Sequence, residues 1–464
     1  MKKLWINEIK DKTGETVELF GWVNVRRDHG KIIFIDLRDR SGIAQLVFTP
    51  KDEKLYKIAE TLRSEWVLFV KGEVVERPKG MVNSEIETGK VEVKAVEVII
   101  LSKSETPPIP LDGAGHEIEE ELRLKYRYLD LRRERLKNNL IMRHKVIKFM
   151  RDYLNDRGFI EIETPILTKS TPEGARDYVV PSRLYPGKFY ALPQSPQQYK
   201  QLLMVAGIER YFQIARCFRD EDTRGDRQPE FTQLDLEMSF VEENDVLNLT
   251  ENLYKEMVSK ITPDKKITQS PFPCLAYKEV MEKYGNDKPD LRKNKNDPNE
   301  LAFAFIVDFP MFEWKETEKR WDAVHHPFTA PKVKDPAELE KDPGLIIAKQ
   351  YDFVLNGYEI GGGSIRTHNP KMLESVFEVM GYKKEEVWAK FKHLFEAFQY
   401  GVPPHGGIAS GIDRLLMILQ GEPNIREIIA FPKTGDARDP MMESPSEIDK
   451  KQLKELHLKV EKDK

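Results

Sequence analysis

Arginines and carboxylates alternate in one segment of the chain, CFRDEDTRGDRQPEFTQLDLEMSF, which begins at Cys217. In its second half, Gln233, Asp235 and Glu237 recur at the period of two that places side chains on one face of a β-strand. Inward carboxylates are costly unless they are paired, so this face could line a pocket for a charged ligand. A solvated charged hairpin is the alternative, but the strand-like run YFQIARCF just before it favours the pocket.

Two further segments have residue types suited to a ligand site. In GVPPHGGIASGIDRLLMIL, small residues would let the backbone approach a ligand, and Arg414 begins a helix with an apolar face. In RGFIEIETPIL, Pro165 follows a strand-like run. Taken singly, Arg414 could form a surface ion pair and Pro165 could mark a sheet edge. Neither segment contains a Walker loop, a GxGxxG turn or a nucleophile elbow.

The elements that position these residues begin with a small β-domain. Apolar residues alternate at period two in five short runs between Thr16 and Leu101, with a helical stretch at residues 54–63 between the third and fourth runs. Five strands with that interruption in fewer than about 110 residues predict a Greek-key barrel of the oligonucleotide-binding (OB) type. Such barrels present one strand face to single-stranded nucleic acid.

The rest of the chain alternates short strands with amphipathic helices but shows no regular βαβ repeat, so we expect an α+β domain around an antiparallel sheet. The protein is therefore expected to be multidomain. The predicted parts are a barrel at 1–103, a linker or hinge at 104–139, the α+β domain at 140–434 with a short loop at about 284–303, and a C-terminal extension at 435–464.

Composition excludes several classes of protein. The 464 residues include 74 Lys and Arg against 78 Asp and Glu, a net charge of −4, with 40% hydrophobic residues, which argues against disordered, collagenous and membrane proteins. Cys217 and Cys274 lack the spacing of a zinc site, and two cysteines suit a reducing compartment. The first residues form no signal peptide, and no apolar run approaches about 18 residues, so we expect a cytoplasmic protein with no membrane contact.

Taken together and in order, RGFIEIETPIL, the Cys217 segment and GIASGIDRLLMIL resemble motifs 1, 2 and 3 of the class II aminoacyl-tRNA synthetases. A barrel before these motifs marks the subgroup that charges aspartate, asparagine or lysine. Four other segments are similar to bacterial-type aspartyl-tRNA synthetases, and the resemblance covers nearly the whole chain: QSPQQYKQLLM, TPEGARDY, VHHPFTAP and NGYEIGGGSIRTHNP.

This resemblance implies an enzyme that uses ATP to attach L-aspartate to tRNA(Asp) through an aspartyl-adenylate, with Mg²⁺ as cofactor. It implies an anticodon-binding OB domain followed by a class II catalytic domain. It also implies a homodimer formed through motif 1, at about residues 146–165, where an apolar stripe would need a partner surface. That stripe consists of Ile141, Phe149, Met150 and Tyr153.

The resemblance assigns the nucleotide site as well. Arg219 and Arg414 would be catalytic, with Arg219 between the α-phosphate and the substrate carboxylate, and with Phe231 and Arg414 on the two faces of the adenine. Asp352 and Glu359 would bind Mg²⁺, which takes one or two carboxylates together with phosphate oxygens. The predicted ATP-binding residues are Arg219, Asp220, Glu221, Gln228, Phe231, Glu359, Gly411, Ile412, Asp413 and Arg414.

Aspartate and asparagine are nearly isosteric but differ in charge, so the pocket must supply cationic donors. By resemblance, Arg366 would hold the side-chain carboxylate bidentately and Lys200 would add a second positive charge. The sequence leaves open whether His325 or His326 faces the ligand. The predicted aspartate-binding residues are Glu173 on a closing loop, Ser195, Gln197, Lys200, Arg219, Asp235, His325 and Arg366.

One departure from the family is large, because bacterial members usually carry an inserted domain where Arg292 here reaches VDFP through only KNKNDPNELAFAFI. The family does not keep its chemistry in that domain, so its absence affects accessory tRNA contacts alone. The alternatives are asparagine charging, a nucleotide-activating amidating paralogue without tRNA function, and a barrel-based nucleic-acid binder with an inactive catalytic domain. Arg366 with Lys200 argues against the first alternative, the barrel against the second, and intact Arg219, Glu359 and Arg414 against the third.

Anticodon recognition is assigned to the barrel. Phe34 would stack on a base, Gln45 would bond a base edge, and Arg26, Arg27 and Lys31 would contact phosphates. The final prediction concerns His29 in RRDHG, a position where enzymes restricted to tRNA(Asp) often have leucine. A histidine there could accept either pyrimidine at the third anticodon position, so tRNA(Asn) would be charged as well. An exposed turn residue without a role is the alternative for His29.

Overall fold

The computed structural model of the chain describes residues 4–170 and 174–461. The chain divides into two units, Met1–Asp112 and Gly113–Lys464, called here the barrel unit and the sheet unit.

The barrel unit is the closed five-stranded barrel that the alternation predicts. The strand order is β1-β2-β3-β5-β4, and β1 pairs with β4 to close it. A short 3₁₀ helix, Ile6–Asp11, precedes the strands, and the predicted helix lies between the third and fourth strands. The elements are β1 (Thr16–His29), β2 (Ile32–Arg38), β3 (Ile43–Phe48), α1 (Glu53–Thr61), β4 (Val67–Glu76) and β5 (Val91–Ser102).

Alternation of side chains sets the two surfaces of the barrel. On β2, Ile33 and Ile35 are at most 1% exposed, and Phe34 between them faces outward and is half-buried. The alternation is interrupted on β1, where a register shift between Val23 and Val25 leaves Val25 41% exposed. Val25 continues the alternating apolar run of β1, but this bulge turns its side chain away from the core.

The sheet unit is built on eight strands in the order β12-β14-β17-β18-β19-β10-β9-β6. All of its neighbouring pairs are antiparallel except β12 with β14 and β9 with β6, which confirms the α+β expectation. The strands are β6 (Ile160–Glu161), β9 (Arg210–Phe218), β10 (Glu230–Ser239), β12 (Cys274–Ala276), β14 (Phe303–Val307), β17 (Gln350–Leu355), β18 (Tyr358–Ile365) and β19 (His405–Gly411).

Helices and three small two-stranded sheets surround this sheet. The paired strands are β7 (Val179–Pro181) with β8 (Phe189–Ala191), β11 (Lys266–Ile267) with β13 (Glu300–Leu301), and β15 (Phe312–Lys315) with β16 (Arg320–Ala323). The helices are α2 (Glu120–Lys125), α3 (Arg127–Asp130), α4 (Glu134–Asn155), α5 (Gln197–Val205), α6 (Glu243–Ile261), α7 (Tyr277–Tyr284), α8 (Ala337–Lys341), α9 (Pro370–Val379), α10 (Lys384–Phe398), α11 (Ile412–Gln420) and α12 (Lys450–Glu455), with 3₁₀ turns at Pro343–Leu345 and Ile425–Glu427. None of the described helices is long and apolar enough to cross a bilayer.

Glycines at the centre of the sheet serve strand packing. A Cβ at Gly407 on β19 would clash with the carbonyl oxygen of Leu236 and the carboxylate of Glu237, both on β10. A Cβ at Gly363 on β18 would clash with the carbonyl oxygen of Gly407. Ligand approach was the predicted reason for the small residues around Gly407, but the close neighbour of Gly407 is the adjacent strand β10.

The apolar stripe of α4 is mostly satisfied within the chain. Met150 and Tyr153 are 0% and 4% exposed, Phe149 packs on the same core, and only Ile141, at 40%, is exposed. The stripe therefore does not need a partner surface, contrary to the prediction. The sheet instead ends at β6, where Ile160 is 51% exposed.

The predicted linker includes residues that pack into the sheet unit. Arg123, 3% exposed, pairs with Asp130 at 2.9 Å and with Glu427 at 2.8 Å. Residues 113–139 form α2, α3 and the start of α4 and belong to the sheet unit. Their buried charges pair with other residues of that unit, as buried charges require. The predicted boundary at residue 139 falls inside α4, and the four-part division of the chain stays a prediction.

Candidate active site

A cavity of about 380 Å³ in the sheet unit gathers side chains that the sequence placed in separate motifs. Its walls come from β10, β17, β18, β19, α5 and the start of α11. The predicted site residues that line it are Ser195, Gln197, Lys200, Arg219, Glu221, Gln228, Phe231, Asp235, His325, Asp352, Glu359, Arg366, Gly411, Asp413 and Arg414.

Two predicted ATP-binding residues are not among those lining the cavity. Asp220 lies in a shallow neighbouring pocket, where it faces Arg176 at 3.6 Å. Ile412 is 0% exposed and belongs to the hydrophobic core, because it begins α11 on the side that packs against the sheet. The predicted contacts of both side chains with ATP therefore find no support in this geometry. Glu173 lies outside the described residues.

The period-two strand β10 turns its polar face toward α5. Lys200 Nζ on α5 lies 2.8 Å from Asp235 Oδ2 and 3.3 Å from Glu237 Oε2, and all three side chains are at most 2% exposed. The inward carboxylates are therefore paired, as their burial requires. The sequence predicted a lined pocket here and placed Glu237 on this inward face, but it gave Glu237 no role in binding.

Arg366 binds the carboxylate of Glu237 bidentately. Its Nε and Nη2 donate to the two carboxylate oxygens at 2.8 and 3.0 Å. Its Nη1 donates to Ser364 Oγ at 2.6 Å and to His326 Nε2 at 3.0 Å, and Nη2 also reaches the carbonyl oxygen of Gly407 at 3.5 Å. A guanidinium has five N–H groups, so all the donors of Arg366 are engaged. The predicted bidentate contact with a substrate carboxylate cannot form without a rearrangement.

The charge balance of this network also differs from the prediction. Lys200 and Arg366 face Asp235 and Glu237, so two cations are matched by two carboxylates before any ligand binds. An entering amide would not leave these two cations without counter-ions. Lys200 retains one donor, because an ammonium has three N–H groups and two point at the carboxylates.

The two carboxylates of β10 respond differently to burial. Burial raises the pKa of Asp235, and Lys200 only partly opposes that shift. Burial also acts to raise the pKa of Glu237, but Arg366 and Lys200 overcome it and lower the pKa to about 2. Glu237 is thus firmly ionised at neutral pH, whereas Asp235 is the carboxylate that a further cation would stabilise.

Several buried polar atoms of the cavity lack a hydrogen-bond partner among the described residues. Buried polar groups are nearly always paired in folded proteins, so such atoms mark positions where a ligand or water completes the structure. They comprise three nitrogen atoms and two oxygen atoms: Arg219 Nε, Gln228 Nε2, His326 Nδ1, Asp235 Oδ1 and Gln350 Oε1.

The two neighbouring histidines have distinct roles. Arg366 can only donate, so His326 must accept at Nε2 and carry its proton on Nδ1, the atom without a partner. Burial and Arg366 lower the pKa of His326, which keeps it neutral. His325 Nε2 instead lies 3.3 Å from Asp352 Oδ2 and its ring packs on Phe309. Both imidazoles line the cavity, and His326 offers the unsatisfied donor.

Asp352 and Glu359 lie close together in the same cavity. A Cβ at Gly362 would lie 3.1 Å from Asp352 Oδ1 and 3.8 Å from Glu359 Oε1, so glycine leaves both carboxylates open. Burial and the charge of Asp352 raise the pKa of Glu359. Such an acidic pair fits a divalent cation that takes its other ligands from phosphate oxygens. No cluster of three potential metal-ligating residues occurs within the described ranges.

Of the two side chains assigned to adenine, Arg414 lies in the first turn of α11 and Phe231 lies on β10. Arg414 is held in place by the carbonyl oxygens of Glu359, at 2.7 Å, and Asp226, at 3.1 Å. The guanidinium of Arg219 lies over the Phe231 ring, 5.1 Å from its centroid. Phe231 and Arg414 line one cavity with Arg219, which is compatible with the predicted arrangement.

Asp413, in the first turn of α11, ties this helix to two neighbouring elements. Its carboxylate is bound by Arg143 from α4 and accepts from the backbone N–H of Thr232 at 3.0 Å. At 4% exposure it links α4, β10 and α11. Its carboxylate keeps further acceptor sites beside these bonds and it lines the cavity, so its contact with ATP stays a prediction.

Gln350, which the sequence analysis missed, also lines the cavity. Its Nε2 donates to Asp352 Oδ1 at 3.0 Å, and its Oε1 is one of the atoms without a partner. The signal was weak, because Gln350 stands only two residues before Asp352 on a strand that is buried throughout. The sequence placed Glu237 on the same face as Gln233 and Asp235, and what it missed is that Glu237 pairs with both Lys200 and Arg366.

The predicted anticodon residues lie on the outer surface of the barrel unit. Arg27 donates to both oxygens of Asp36, at 2.6 and 2.7 Å, and reaches Gln45 Oε1 at 3.4 Å. Gln45 Nε2 in turn donates to Glu92 at 2.8 Å. Phe34 pairs in register with Arg27 across β1 and β2. An aromatic face and a polar network are therefore adjacent on one strand surface.

The end of β1 contributes the remaining positions. Arg26 is paired with Asp28 at 2.7 Å, so a phosphate would have to compete with that carboxylate. Lys31 is exposed. His29 is the exposed last residue of β1 and pairs in register with Ile32 across the turn.

Comparison with known proteins identifies the family. The family described as tRNA synthetases class II (D, K and N) matches residues 119–435, and the OB-fold nucleic acid binding domain matches residues 17–101. A relative from Dehalococcoides mccartyi named aspartate–tRNA(Asp/Asn) ligase is 44% identical, with 98% of each chain covered. A relative of the same name from Caldanaerobacter subterraneus is 45% identical and covers 98% of this chain and 97% of its own.

The alignment with the first relative extends over 589 positions, although this chain has 464 residues. The relative therefore has many residues that this chain lacks, which is consistent with the predicted loss of an inserted domain.

Solved structures share the fold. Asparaginyl-tRNA synthetase from Pyrococcus horikoshii, complexed with asparaginyl-adenylate, has a TM-score of 0.75 at 23% identity and covers 94% of this chain and 98% of its own. A putative aspartyl-tRNA synthetase from Leishmania major has a TM-score of 0.72 at 19% identity, with 92% and 93% covered. With the family match over 119–435 and relatives at 44% identity along nearly its whole length, this chain belongs to the class II tRNA synthetases of the D, K and N group.

Proposed function

We propose that this chain is an aspartate–tRNA ligase that uses ATP to attach L-aspartate to both tRNA(Asp) and tRNA(Asn) through aspartyl-adenylate. The observation that carries the proposal is its 44% identity, over 98% of the chain, to a relative named for that activity. The cavity supports it, because it joins anion-binding donors with acceptors suited to an ammonium group.

The first step is attack of the aspartate α-carboxylate on the α-phosphorus of ATP, with pyrophosphate leaving. It needs aligned reactants and positive charge on the phosphates, and no protein nucleophile. We assign the α-phosphate to Arg219, whose buried Nε lacks a partner among the described residues. Phe231 and Arg414 would hold the adenine, with Glu221 and Gln228 completing the nucleotide site.

Amino-acid recognition would use the β10 network. Asp235 Oδ1 is an acceptor for the substrate ammonium, and a cation there offsets the burial of its carboxylate. Lys200 keeps one donor for the side-chain carboxylate of aspartate. Direct donation by Arg366 requires its bond to His326 to open, after which both side chains could bind that carboxylate. Ser195, Gln197 and His325 line the same cavity and would surround the substrate.

Asp352 and Glu359 would hold Mg²⁺, which when bound neutralises charge on the phosphate oxygens. Gln350 donates to Asp352 and fixes that carboxylate, and His325 contacts its other oxygen. Burial and Asp352 act first to raise the pKa of Glu359, and Arg414 opposes that shift.

The second step passes the aspartyl group to the terminal ribose of tRNA. We assign anticodon binding to the outer face of the barrel unit, with Phe34 stacking on a base and Gln45 and Arg27 contacting its neighbours. His29, at the exposed end of β1, is our candidate for accepting both anticodons. The relatives named for tRNA(Asp/Asn) support the dual specificity, and its assignment to His29 is a proposal.

We infer a homodimer whose interface includes the edge of the sheet at β6. Ile160, Ile166 and Leu167 are 51%, 41% and 52% exposed, and exposed apolar side chains beside an open strand edge favour pairing with a second chain. Light scattering should give twice the 54.0 kDa chain mass. A stable, active monomer at the chain mass would contradict the dimer.

The test of the function is ATP–pyrophosphate exchange without tRNA. Aspartate should support exchange, and asparagine should not. Greater exchange with asparagine would indicate asparagine charging instead, and exchange with neither amino acid would indicate an inactive catalytic unit. Exchange with aspartate but no transfer to any tRNA would favour the amidating paralogue.

A further inference from the structure

Helix α5 carries a chain of hydrogen bonds that leads from the cavity to a buried histidine. Gln197 Nε2 donates to Gln201 Oε1 at 3.2 Å, and Gln201 Nε2 lies 3.1 Å from His405 Nε2. His405 Nδ1 lies 2.8 Å from the carbonyl oxygen of Pro403. Gln201 and His405 are both 0% exposed, and only Gln197 reaches the cavity.

The Pro403 carbonyl fixes which atom donates and which accepts in each of these hydrogen bonds. A carbonyl oxygen only accepts, so His405 must donate from Nδ1 and the neutral ring presents a lone pair at Nε2. Burial lowers the pKa of His405 and keeps it neutral. Gln201 must then donate its amide nitrogen to His405, which turns its oxygen toward Gln197 Nε2. As a result, Gln197 presents its oxygen, and not its amide nitrogen, to the cavity.

The same end of the cavity has a second acceptor. Lys200 follows Gln197 by one turn of α5 and holds Asp235 Oδ2 at 2.8 Å, which leaves Asp235 Oδ1 without a donor among the described residues. Two acceptors that line the same cavity, one of them on a buried carboxylate, suit a group with several N–H donors and a positive charge. The α-ammonium of an amino acid is such a group.

We propose that His405 and Gln201 are positioning residues that hold the Gln197 oxygen toward the α-ammonium group of the amino-acid substrate. Without them, the Gln197 amide could rotate by a half-turn and present its NH₂ group to that cation, which would repel it. Neither residue needs to touch the substrate. The proposal rests on the proposed function, since it specifies how the amino acid is read.

The test compares variants that break or keep the acceptor at His405 Nε2. His405→Phe removes it, and His405→Gln retains an acceptor at a similar position. Gln201→Met interrupts the series of hydrogen bonds one residue closer to the cavity. It serves as the test if His405→Phe does not fold. The readouts are the KM for aspartate and for ATP in pyrophosphate exchange, and inhibition by succinate, which is aspartate without its ammonium group.

His405→Phe and Gln201→Met should raise the KM for aspartate roughly tenfold or more, because a hydrogen bond to a charged group is lost. The KM for ATP and inhibition by succinate should stay unchanged, and His405→Gln should recover most of the aspartate affinity. Equal weakening of aspartate and succinate, or an unchanged KM for aspartate, would overturn the proposal.

His393→Phe is the matched control, since His393 also bonds a glutamine of α5, Gln198, which does not line the cavity. It should leave the KM for aspartate unchanged. If the unmodified protein shows no aspartate-dependent exchange, the proposed function fails. If it shows exchange and the variants match it, only the positioning role fails.

Discussion

Removing one member of the Arg366–Glu237 pair should destabilise the sheet unit and removing both should not. The two side chains are 2% and 0% exposed and share two hydrogen bonds. Breaking a buried pair from one side costs about 3–5 kcal/mol, because the remaining charge loses its partner. Lys200 Nζ lies 3.3 Å from Glu237 and partly compensates in Arg366→Met, so we expect about 3 kcal/mol there. Glu237→Leu leaves two cations facing one carboxylate and should cost more.

Urea unfolding of the single variants and of Arg366→Met/Glu237→Leu measures these free energies. The double variant should recover most of the lost stability, since apolar side chains of similar size can replace a buried pair at little cost. All three variants should lose aspartate-dependent pyrophosphate exchange, including the double variant whose stability recovers, and all three should still bind ATP. Single-variant losses below about 1 kcal/mol, typical of exposed pairs, would refute the reasoning.

Three further predictions concern other parts of the molecule. Phe34→Ala should weaken tRNA charging by the roughly 1–3 kcal/mol of one stacked base and leave pyrophosphate exchange intact; equal loss of both would indicate a folding role. Glu359→Gln should raise the Mg²⁺ concentration needed for half-maximal exchange several-fold, and an unchanged Mg²⁺ titration would exclude Glu359 as a ligand. Arg123 and Arg135 overcome burial and lower the pKa of Glu427 to about 2, below its ordinary value of 4.5. The ionised Glu427 carboxylate therefore stabilises the fold above about pH 4.5, and this contribution is lost as the pH falls toward 2. The Glu427→Gln variant should be less stable at pH 7 by about 3 kcal/mol, and its stability should depend less on pH in acid.

Patterns within one element predicted much of the fold. The alternation around Ile33, Phe34 and Ile35 gave the barrel surface correctly, and the period of Asp235 and Glu237 placed both on an inward face. Such patterns depend only on the local backbone, so they can be read from adjacent residues.

Pairings between distant elements could not be predicted in the same way. Arg366 directly follows β18 and binds Glu237 on β10, across the intervening strand β19. Nothing in the local sequence distinguishes Arg366 from an arginine that is free to bind substrate. The stripe on α4 has the same pattern whether its partner is this chain or a second copy. The exposure of Val25 depends on a bulge that apolar spacing does not reveal.

Aminoacylation of separate tRNA(Asp) and tRNA(Asn) transcripts with labelled aspartate tests the central claim most directly. The account predicts that aspartate is transferred to both tRNAs with comparable efficiency. Charging of tRNA(Asn) weaker by several orders of magnitude would contradict the dual specificity assigned to His29. Transfer of asparagine in place of aspartate would contradict the proposed reaction itself.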